Sequence, residues 1–412
     1  MKVLHLVQGY EPAVGGTEFL IQKISERLVS RYKDEVIVFT TTSYNTEGFV
    51  SRKAPQMEPG TEVINGVTVR RFPVSNTVAP FLRYAQAAAW RWHLPRNDVL
   101  RTLYNGPFIP GLPSEIARQD VDIVAASSFP LKHMQYAVKA RRPSVPVVLI
   151  GGLHPEDAWG FDRRDIYRAI RKADKYIAYT RFEREYVVSR GISPDKIEVI
   201  GAGVDLDEYG HDDGRSFRER YGLGENPVIA FVGQQTAHKG IEHLIRAMRI
   251  VWRHLPEAHL IVAGAPTNYT QAINAEIQNV PSAHQDQVLK IDLVGKEEKI
   301  SLLHACDVFA SPSGAESFGI TYLEAWACGK PVIGTRSGAI PTVISEDHDG
   351  LLCDYGNIGE LASLIVELLQ DKAISTRLAK AGLAKVQRDH TWDVVTERLH
   401  NVYLSLLAGK TR

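Results

Sequence analysis

The α/β character of the chain is clearest in the segment Ser311-Pro-Ser-Gly-Ala-Glu-Ser-Phe-Gly-Ile-Thr-Tyr-Leu-Glu-Ala-Trp-Ala-Cys-Gly-Lys-Pro-Val-Ile-Gly334. A strand ending near Ala310 runs into a polar loop, a glycine and a helical pattern, and the next strand begins at Pro331. Loops at the carboxyl ends of parallel strands are where open α/β sheets bind ligands. The segment therefore predicts a doubly wound sheet with a ligand site at its edge.

The same alternation extends in both directions from this segment. Short runs rich in β-branched residues recur, and segments with helical periodicity separate them, which is typical of a mostly parallel sheet. In the first half the predicted strands are Lys2–Gln8, Glu35–Phe39, Asp122–Ala126, Val147–Ile150, Lys175–Tyr179 and Lys196–Ile200. In the second half they are Val228–Val232, Leu260–Ala263, Leu289–Leu293, Val308–Ala310, Pro331–Gly334 and Leu351–Cys353.

The alternation pauses at Asp205–Pro227, where glycines and aspartates indicate a connection between domains. A chain of 412 residues is also long for one hydrophobic core. We predict an N-terminal domain over residues 1–205 and a C-terminal domain over residues 206–390. A last helix within residues 391–412 is predicted to pack back on the N-terminal domain.

Residues 74–118 depart from the pattern. Phe81–Trp92 is helix-prone and carries aromatic residues beside arginines, and the Pro- and Gly-rich stretch Pro107–Pro113 reads as a loop. Residues 70–142 hold 11 basic and 4 acidic side chains, although the whole chain has 48 of each. An amphipathic helix packed on its own domain explains this region, and so does a surface for a lipid-linked or membrane-held acceptor. We expect peripheral contact with an anionic membrane through residues 70–142.

The composition narrows the class of protein. With 44% apolar and 23% charged residues, the chain has the make-up of a folded protein. No apolar run is long enough to span a bilayer, and Met1–Gln8 has the pattern of a strand instead of a secretory signal. Three cysteines are too few for a disulfide framework or a zinc site, which suits a reducing compartment. We therefore expect a cytoplasmic location, peripheral on the inner membrane face, and no nucleic-acid partner.

Two carboxylates and a helix start stand out in the opening segment. The backbone of Ser317–Ile320 would place unpaired N–H groups at a helix N-terminus, where a diphosphate is favoured. Glu324, about a turn into the helix, can accept hydrogen bonds from both vicinal hydroxyls of a ribose. Helix capping and solvation would equally explain a pair such as Glu316 and Glu324 taken alone.

The whole segment resembles the signature of the family 4 (group 1) glycosyltransferases. Pro-Ser, Glu-x-Phe-Gly, Leu-Glu-Ala and Gly-x-Pro-Val-Ile follow one another here without interruption. The resemblance implies the GT-B fold, in which two Rossmann-like, doubly wound domains face each other across a cleft. It also implies that Glu316 lies close to the transferred sugar and that Glu324 holds the nucleotide ribose. The backbone at Phe318, Gly319 and Ile320 would then meet sugar hydroxyls and phosphate.

Other segments extend the resemblance. Gly9–Glu18 is similar to the family's glycine pair after the first strand, here Gly15 and Gly16, and it lacks the dinucleotide fingerprint of nicotinamide enzymes. Leu153-His154 is similar to the sugar-pocket histidine, which makes His154 a catalytic candidate with Glu316 and Lys239. Val294, after a predicted strand, is assigned to the donor site.

The segment Phe231–Gly240 resembles the family's Gly-Arg-x(4)-Lys-Gly loop, in which the arginine and lysine neutralise the leaving diphosphate. Gly233 and Lys239 are in place, and Gln234 stands where the arginine is usual. The replacement removes a fixed charge and a bidentate donor. Either another basic residue compensates or the leaving group is stabilised less.

The resemblance implies a hexosyltransferase that uses a UDP- or GDP-sugar, retains anomeric configuration, needs no metal or other cofactor, and transfers to a glycan or lipid-linked acceptor. Asp205-Leu-Asp207 spells a metal-binding Asp-x-Asp, but we interpret it as structural because it lies in the connection. A nucleotide-sugar epimerase or hydrolase of the same fold, and a non-catalytic glycosyltransferase-like subunit, remain alternatives. An enzyme using pyridoxal phosphate would need a Schiff-base lysine, and none is identified.

Overall fold

The structure is a computed structural model that describes residues 1–13, 15–51, 53–77 and 79–409. The chain divides into two compact units. The first runs from Met1 to Gly201 and includes the C-terminal segment from Val395 onward, and the second is Ala202–Val394. These limits differ by four residues from the predicted boundaries at 205 and 390.

The first unit is built on an eight-stranded sheet. Its strands are β1 (Lys2–Leu6), β2 (Glu35–Thr41), β3 (Gly60–Ile64), β4 (Val67–Phe72), β5 (Ile123–Ala126), β6 (Val147–Ile150), β7 (Lys175–Ala178) and β8 (Ile197–Val199). They are ordered β3-β4-β2-β1-β5-β6-β7-β8, and only the β3–β4 pair is antiparallel among the pairings described. The central strands are buried on both faces, as their continuous apolar sequences require.

Eight helices of the first unit connect these strands. They are α1 (Gly16–Tyr32), α2 (Ala79–Arg91), α3 (Asn97–Asn105), α4 (Leu112–Arg118), α5 (His133–Ala140), α6 (Ala158–Phe161), α7 (Arg164–Lys172) and α8 (Arg181–Ser189). The chain's last helix, numbered α18 (Trp392–Ala408), packs on the same unit. Tyr403 Oη lies 3.1 Å from His5 Nε2 on β1, and the His400 ring stacks on Tyr32 of α1 at 3.9 Å.

The second unit is built on a six-stranded parallel sheet. Its strands are β9 (Val228–Val232), β10 (His259–Ala263), β11 (Val288–Ile291), β12 (Val308–Ala310), β13 (Val332–Thr335) and β14 (Leu351–Cys353), ordered β11-β10-β9-β12-β13-β14. Its helices are α9 (Leu206–Tyr209), α10 (Arg215–Arg220), α11 (Ile241–His254), α12 (Thr270–Gln278), α13 (Lys296–Ala305), α14 (Ile320–Ala327), α15 (Ile340–Val343), α16 (Ile358–Gln370) and α17 (Lys372–Asp389). In both units strands alternate with helices along the chain, and the strands form mostly parallel sheets. This confirms the predicted α/β class with two doubly wound domains.

Three local predictions were wrong. Asp205–Pro227 is not a bare connection, because it forms α9 and α10 and buries Tyr209 and Phe217. The strand predicted to reach Leu293 ends at Ile291, because Leu293 adopts a left-handed backbone with φ 57°. The loop predicted at Pro107–Pro113 gives way to α4 at Leu112.

Candidate active site

The second sheet has its topological switch point between β9 and β12. From β9 the chain builds outward through β10 to β11, and from β12 it builds in the other direction through β13 to β14. The loops that leave the carboxyl ends of β9 and β12 therefore lie side by side, which is where open α/β sheets bind ligands. These loops contain residues 233–240 and 311–319, the two segments that carry most of the predicted donor residues.

Lys239 and Glu316 meet at this switch point. Lys239 Nζ lies 2.6 Å from Glu316 Oε1, and the two side chains are only 19% and 12% exposed. A methyl group on Gly233 would lie 3.9 Å from Lys239 Cε, and one on Gly319 would lie 3.9 Å from Glu316 Cγ. The structure thus brings four predicted residues from two distant stretches of sequence into one site.

Hydrogen bonds hold the two loops against each other. The Gly314 amide donates to the His238 carbonyl oxygen at 2.7 Å, across the loop boundary. Tyr322 Oη on α14 donates to the Ser311 carbonyl oxygen at the start of the second loop, at 2.7 Å. A side chain on Gly240 would collide with the Pro312 carbonyl oxygen. The site is therefore a packed arrangement, which limits movement of Lys239 relative to Glu316.

The start of α14 shapes the floor of the site. Gly319 precedes the helix with φ 90°, a conformation that disfavours any residue with a Cβ, and a Cβ there would lie 2.6 Å from the Tyr322 ring. Phe318 is buried, with its ring 5.5 Å from that of His390. The first turn of α14 begins at Ile320, and the first turn of a helix presents backbone N–H groups that can bind an anion.

Glu324 is held by residues that the sequence did not single out. Its Oε1 accepts hydrogen bonds from Lys299 Nζ on α13 at 2.6 Å and from Tyr209 Oη on α9 at 2.8 Å. Burial, followed by the charge of Glu324, raises the pKa of the Tyr209 hydroxyl far above its usual range, so that it stays a donor. Glu324 is therefore anchored through one oxygen, which leaves Oε2 to meet a ligand.

The two neighbouring glutamines behave differently. The side chain of Gln234, at the position where the family has arginine, is exposed. Gln235 is fully buried, and its Nε2 donates to the Gly264 carbonyl oxygen at 2.8 Å and to Asp292 Oδ1 at 2.6 Å. Gln235 thus ties together the loops after β9, β10 and β11. Val294 lies in the last of these loops, two strands away from β9.

Gly15, Gly16 and His154 belong to the first unit. Gly15 precedes α1, and a side chain there would collide with the carboxylate of Glu18. His154 is half-buried in the loop after β6, with its ring 5.2 Å from that of Phe161. All three therefore lie at the carboxyl edge of the first sheet, whereas the other predicted donor residues lie at the carboxyl edge of the second.

A buried carboxylate supports the loop that carries His154. Glu183 Oε1 accepts hydrogen bonds from the amides of Gly152 and Leu153 at 2.9 and 3.0 Å, and from Tyr176 Oη at 2.5 Å. Burial raises the pKa of Glu183 above its ordinary value. These bonds set the course of the backbone immediately before His154.

Comparison with known proteins gives the chain its family. The family model for glycosyl transferases group 1 matches residues 214–385, and the model for glycosyltransferase family 4 matches residues 14–208. The chain belongs to glycosyltransferase family 4. The resemblance found in Ser311–Gly334 is confirmed, and the matches take in both units of this family 4 chain.

The relatives of this family 4 chain are distant. A D-inositol 3-phosphate glycosyltransferase of Xylanimonas cellulosilytica is 33% identical over 57% of this chain and 58% of its own length. A GDP-mannose-dependent monoacylated alpha-(1-6)-phosphatidylinositol monomannoside mannosyltransferase of Corynebacterium glutamicum is 28% identical over 58% of this chain and 65% of its own. The crystal structure of Anabaena HepE with UDP and glucose matches with a TM-score of 0.71 at 19% identity, over 98% of this chain and 100% of that one. This last likeness supports the predicted GT-B fold.

Within the residues that the structure describes, no helix of this family 4 chain combines the length and apolar character that a membrane crossing requires. In the same residues, no three His, Cys, Asp or Glu side chains gather closely enough to hold a metal ion. Asp205 and Asp207 lie at the start of α9.

Sequence reasoning missed three residues of the site. Lys299 shares α13 with Lys296, and nothing in a single sequence distinguishes the lysine that reaches Glu324 from the one that pairs with Glu208. Tyr209 was hidden in a stretch interpreted as a connection. Gln235 was the easiest of the three to predict. It follows the predicted buried strand Val228–Val232 closely, and it is next to Gln234, which stands where the family has arginine.

Proposed function

We propose that the chain transfers a hexose from a UDP- or GDP-sugar to a glycan or lipid-linked acceptor, with retained anomeric configuration and without a metal ion. The observation that carries this proposal is the Lys239–Glu316 pair at the switch point of the second sheet, 2.6 Å apart beside the start of α14. The pair supplies one cation and one carboxylate. In the proposed reaction, these would face the negative charge that develops on the diphosphate and the positive charge that develops on the sugar.

The proposed chemistry follows from the charges that develop in the transition state. The bond between the anomeric carbon and the diphosphate oxygen breaks, and the acceptor hydroxyl oxygen bonds to the same face of that carbon. Negative charge grows on the departing diphosphate, where Lys239 and the N–H groups of α14 are oriented to stabilise it. Glu316 lies beside Lys239, where a carboxylate favours positive character on the sugar ring, and the acceptor proton goes to the leaving diphosphate.

The acceptor side of the proposal is supported by the relatives. Those named above act on inositol 3-phosphate and on a phosphatidylinositol monomannoside, which are a polyol ester and a glycolipid. We propose an acceptor of the same broad kind, a hydroxyl-rich ring that is free or joined to a lipid. The proposed location is the cytoplasmic side of a membrane that the protein contacts peripherally.

The structure narrows the region of proposed membrane contact. Most basic residues between 70 and 142 are engaged: Arg70 and Arg118 with Glu115, Arg71 with Glu62, Arg141 with Asp174 and Arg142 with Asp120, while Arg101 is buried. The expectation of one broad cationic face over residues 70–142 is therefore too wide. Six of the 11 basic residues in this range are therefore paired or buried.

The unpaired basic residues considered for membrane contact lie on the exposed face of α2 and in the turn after it. Phe81, Tyr84 and Trp92 are 81%, 77% and 67% exposed, and Arg83 and Arg91 lie exposed among them. Residues 79–96 contain no acidic side chain. Aromatic rings with arginines beside them suit the interface of an anionic bilayer. We propose that this face, not the whole of residues 70–142, contacts the membrane.

The proposal is tested by measuring sugar transfer directly. UDP-, GDP- and ADP-sugars are first screened by thermal shift, since a bound ligand raises the melting temperature by mass action. The stabilising donor is then supplied with glycan and lipid-linked acceptors, and the nucleoside diphosphate released is compared with a reaction without acceptor. Release that depends on acceptor, with a product of retained configuration by NMR, is expected. Equal release without acceptor would identify a hydrolase, and no nucleotide-sugar binding would leave a non-catalytic protein.

A further inference from the structure

The first sheet has its own switch point, and a cavity opens there. From β1 the chain builds outward through β2 in one direction and through β5 in the other. A cavity of about 470 Å³ lies at the carboxyl ends of these three strands. It is lined by Gln8 after β1, by residues 46–50 after β2 and by Phe129 after β5. Its volume falls within the roughly 300–1,000 Å³ that small-molecule sites occupy.

The lining of this cavity combines aromatic rings with hydrogen-bond acceptors. Tyr104 and Phe129 supply aromatic residues to the lining, and Glu47 and Asn105 supply a carboxylate and an amide. The Gln8 amide nitrogen already donates to Glu18 Oε1 at 2.5 Å, so that Gln8 offers a ligand its amide oxygen. A ligand that donates protons from hydroxyl groups would satisfy these acceptors.

The charged part of the cavity lining is acidic. Glu47 is the one ionisable carboxylate among the described residues that line it, and none of them is lysine, arginine or histidine. Glu18, behind Gln8, is buried and adds a second carboxylate nearby. A phosphate group at neutral pH carries negative charge and needs donors, so this lining disfavours it.

Two cations close to the cavity in sequence, Lys132 and Arg101, have partners other than the cavity. Lys132, next to the lining residue Leu131, holds its ammonium 4.1 Å from the centroid of the Phe108 ring. Arg101 on α3 donates to the Ala158 and Asp162 carbonyl oxygens at 3.0 and 3.3 Å. Both cations thus contact other parts of the unit, and neither residue lines the cavity.

We infer that this cavity binds the acceptor through a hydroxyl-rich ring and selects against phosphate monoesters of that ring, with Glu47 as the residue that sets this preference. The inference rests on the proposed transferase function and names the acceptor class for it. It separates this chain from its relative named for inositol 3-phosphate, although both belong to one family. A ring would place its hydroxyls on Glu47, Asn105 and Gln8, and its apolar face on Tyr104 or Phe129.

The experiment compares two probes that differ by one phosphate. Binding of myo-inositol and of inositol 3-phosphate to the full-length chain is measured by calorimetry and saturation-transfer NMR, with the stabilising nucleoside diphosphate present. Wild type is set beside Glu47→Gln and Glu47→Lys. Glu58→Lys is the matched control, because Glu58 lies exposed on the same β2–β3 connection but lines a different cavity.

We expect wild type to bind inositol at least about tenfold more tightly than the phosphate ester. The ratio of the affinity for inositol to the affinity for the phosphate ester should decrease in Glu47→Gln. It should decrease by at least about tenfold in Glu47→Lys and stay unchanged in Glu58→Lys. Tighter binding of the ester by wild type, binding of neither probe, or an unchanged ratio in Glu47→Lys would overturn the inference. Nucleotide affinity and donor turnover, measured on the same samples, report separately on the transferase function, which stands if only the acceptor ratio fails.

Discussion

Lys239 and Glu316 come from loops after two different strands, and yet their charged atoms lie 2.6 Å apart. In the absence of a donor each neutralises the other at the switch point of the second sheet. Under the proposed function, a diphosphate arriving there would compete with Glu316 for the lysine, and the released carboxylate would face the sugar. Donor binding would then separate the two charged groups that pair in its absence.

Replacing Lys239 should lower turnover more than affinity. Lys239→Ala removes a cation that interacts most strongly with the charge of the transition state, so kcat should fall about ten- to a hundredfold, with a smaller change in KM. Lys239→Arg should retain part of the activity because it keeps the charge. Steady-state kinetics with the identified donor provide the measurement. An effect confined to KM would contradict this role for Lys239.

The effect of having glutamine instead of arginine at position 234 can be tested with the same kinetic assay. If leaving-group stabilisation is limited by the absent arginine, Gln234→Arg should raise kcat, because its exposed position beside Gly233 can accept the longer side chain. A fall in activity would indicate that another cation occupies that space when the donor is bound.

Lys299 should act on the ribose through Glu324. Because Lys299 and Tyr209 both hold Oε1, the free Oε2 is the oxygen expected to accept a ribose hydroxyl. Lys299→Met should therefore reduce the affinity difference between a nucleoside diphosphate and its dideoxy analogue by about tenfold, and Glu324→Gln should have a similar effect. Lys296→Met is the control, since Lys296 lies one turn away on α13 and pairs with Glu208. Equal discrimination in both lysine variants would remove Lys299 from the ribose site.

Local sequence patterns predicted the strands well and the long-range contacts poorly. Val228–Val232 and Val308–Ala310 were predicted with their observed bounds, because buried parallel strands are continuous apolar runs. The β3–β4 hairpin was missed, although its Asn65-Gly66 turn, with φ 49° and 83°, is a strong hairpin signal. Lys299 was beyond prediction, because its partner depends on how α13 packs beside α14.

Activity should survive removal of divalent metal ions. The proposed stabilisation of the leaving diphosphate uses Lys239 and backbone amides, neither of which needs a metal. Transfer measured with excess EDTA should match the untreated enzyme. Complete loss of activity, restored by magnesium or manganese, would reopen a metal role for Asp205 and Asp207 at the start of α9.

Acid should weaken the first unit through His5. Burial lowers the pKa of His5 from 6.5 to about 3 in the folded chain. Between these two pH values, His5 is therefore protonated in the unfolded state and neutral in the folded state. The free energy of unfolding should therefore fall between pH 6.5 and 3, by up to about 1.4 kcal/mol per pH unit for this one group. His5→Gln should reduce that slope in urea titrations at several pH values. The exposed His211→Gln should leave it unchanged, and an unchanged slope in His5→Gln would contradict the argument.

Membrane contact should depend on the exposed face of α2. Basic residues near an anionic surface contribute roughly 1 kcal/mol each, so reversing Arg83 and Arg91 to glutamate should weaken liposome binding by at least about thirtyfold. Co-sedimentation with anionic liposomes should fade at high salt, because surface attraction decays within a Debye length of about 8 Å at physiological ionic strength.

The control for this last prediction lies in the same basic region. Arg118→Glu with Arg142→Glu makes the same change in net charge, but these arginines lie outside α2 and already pair with Glu115 and Asp120. If binding follows the α2 face, only the Arg83 and Arg91 variant should lose it, and Trp92→Ala should reduce the part of binding that persists in salt. Equal loss in both double variants would mean that binding follows net charge alone. Equal recovery on neutral and anionic liposomes would leave the α2 arginines as ordinary surface and point to an acceptor in solution.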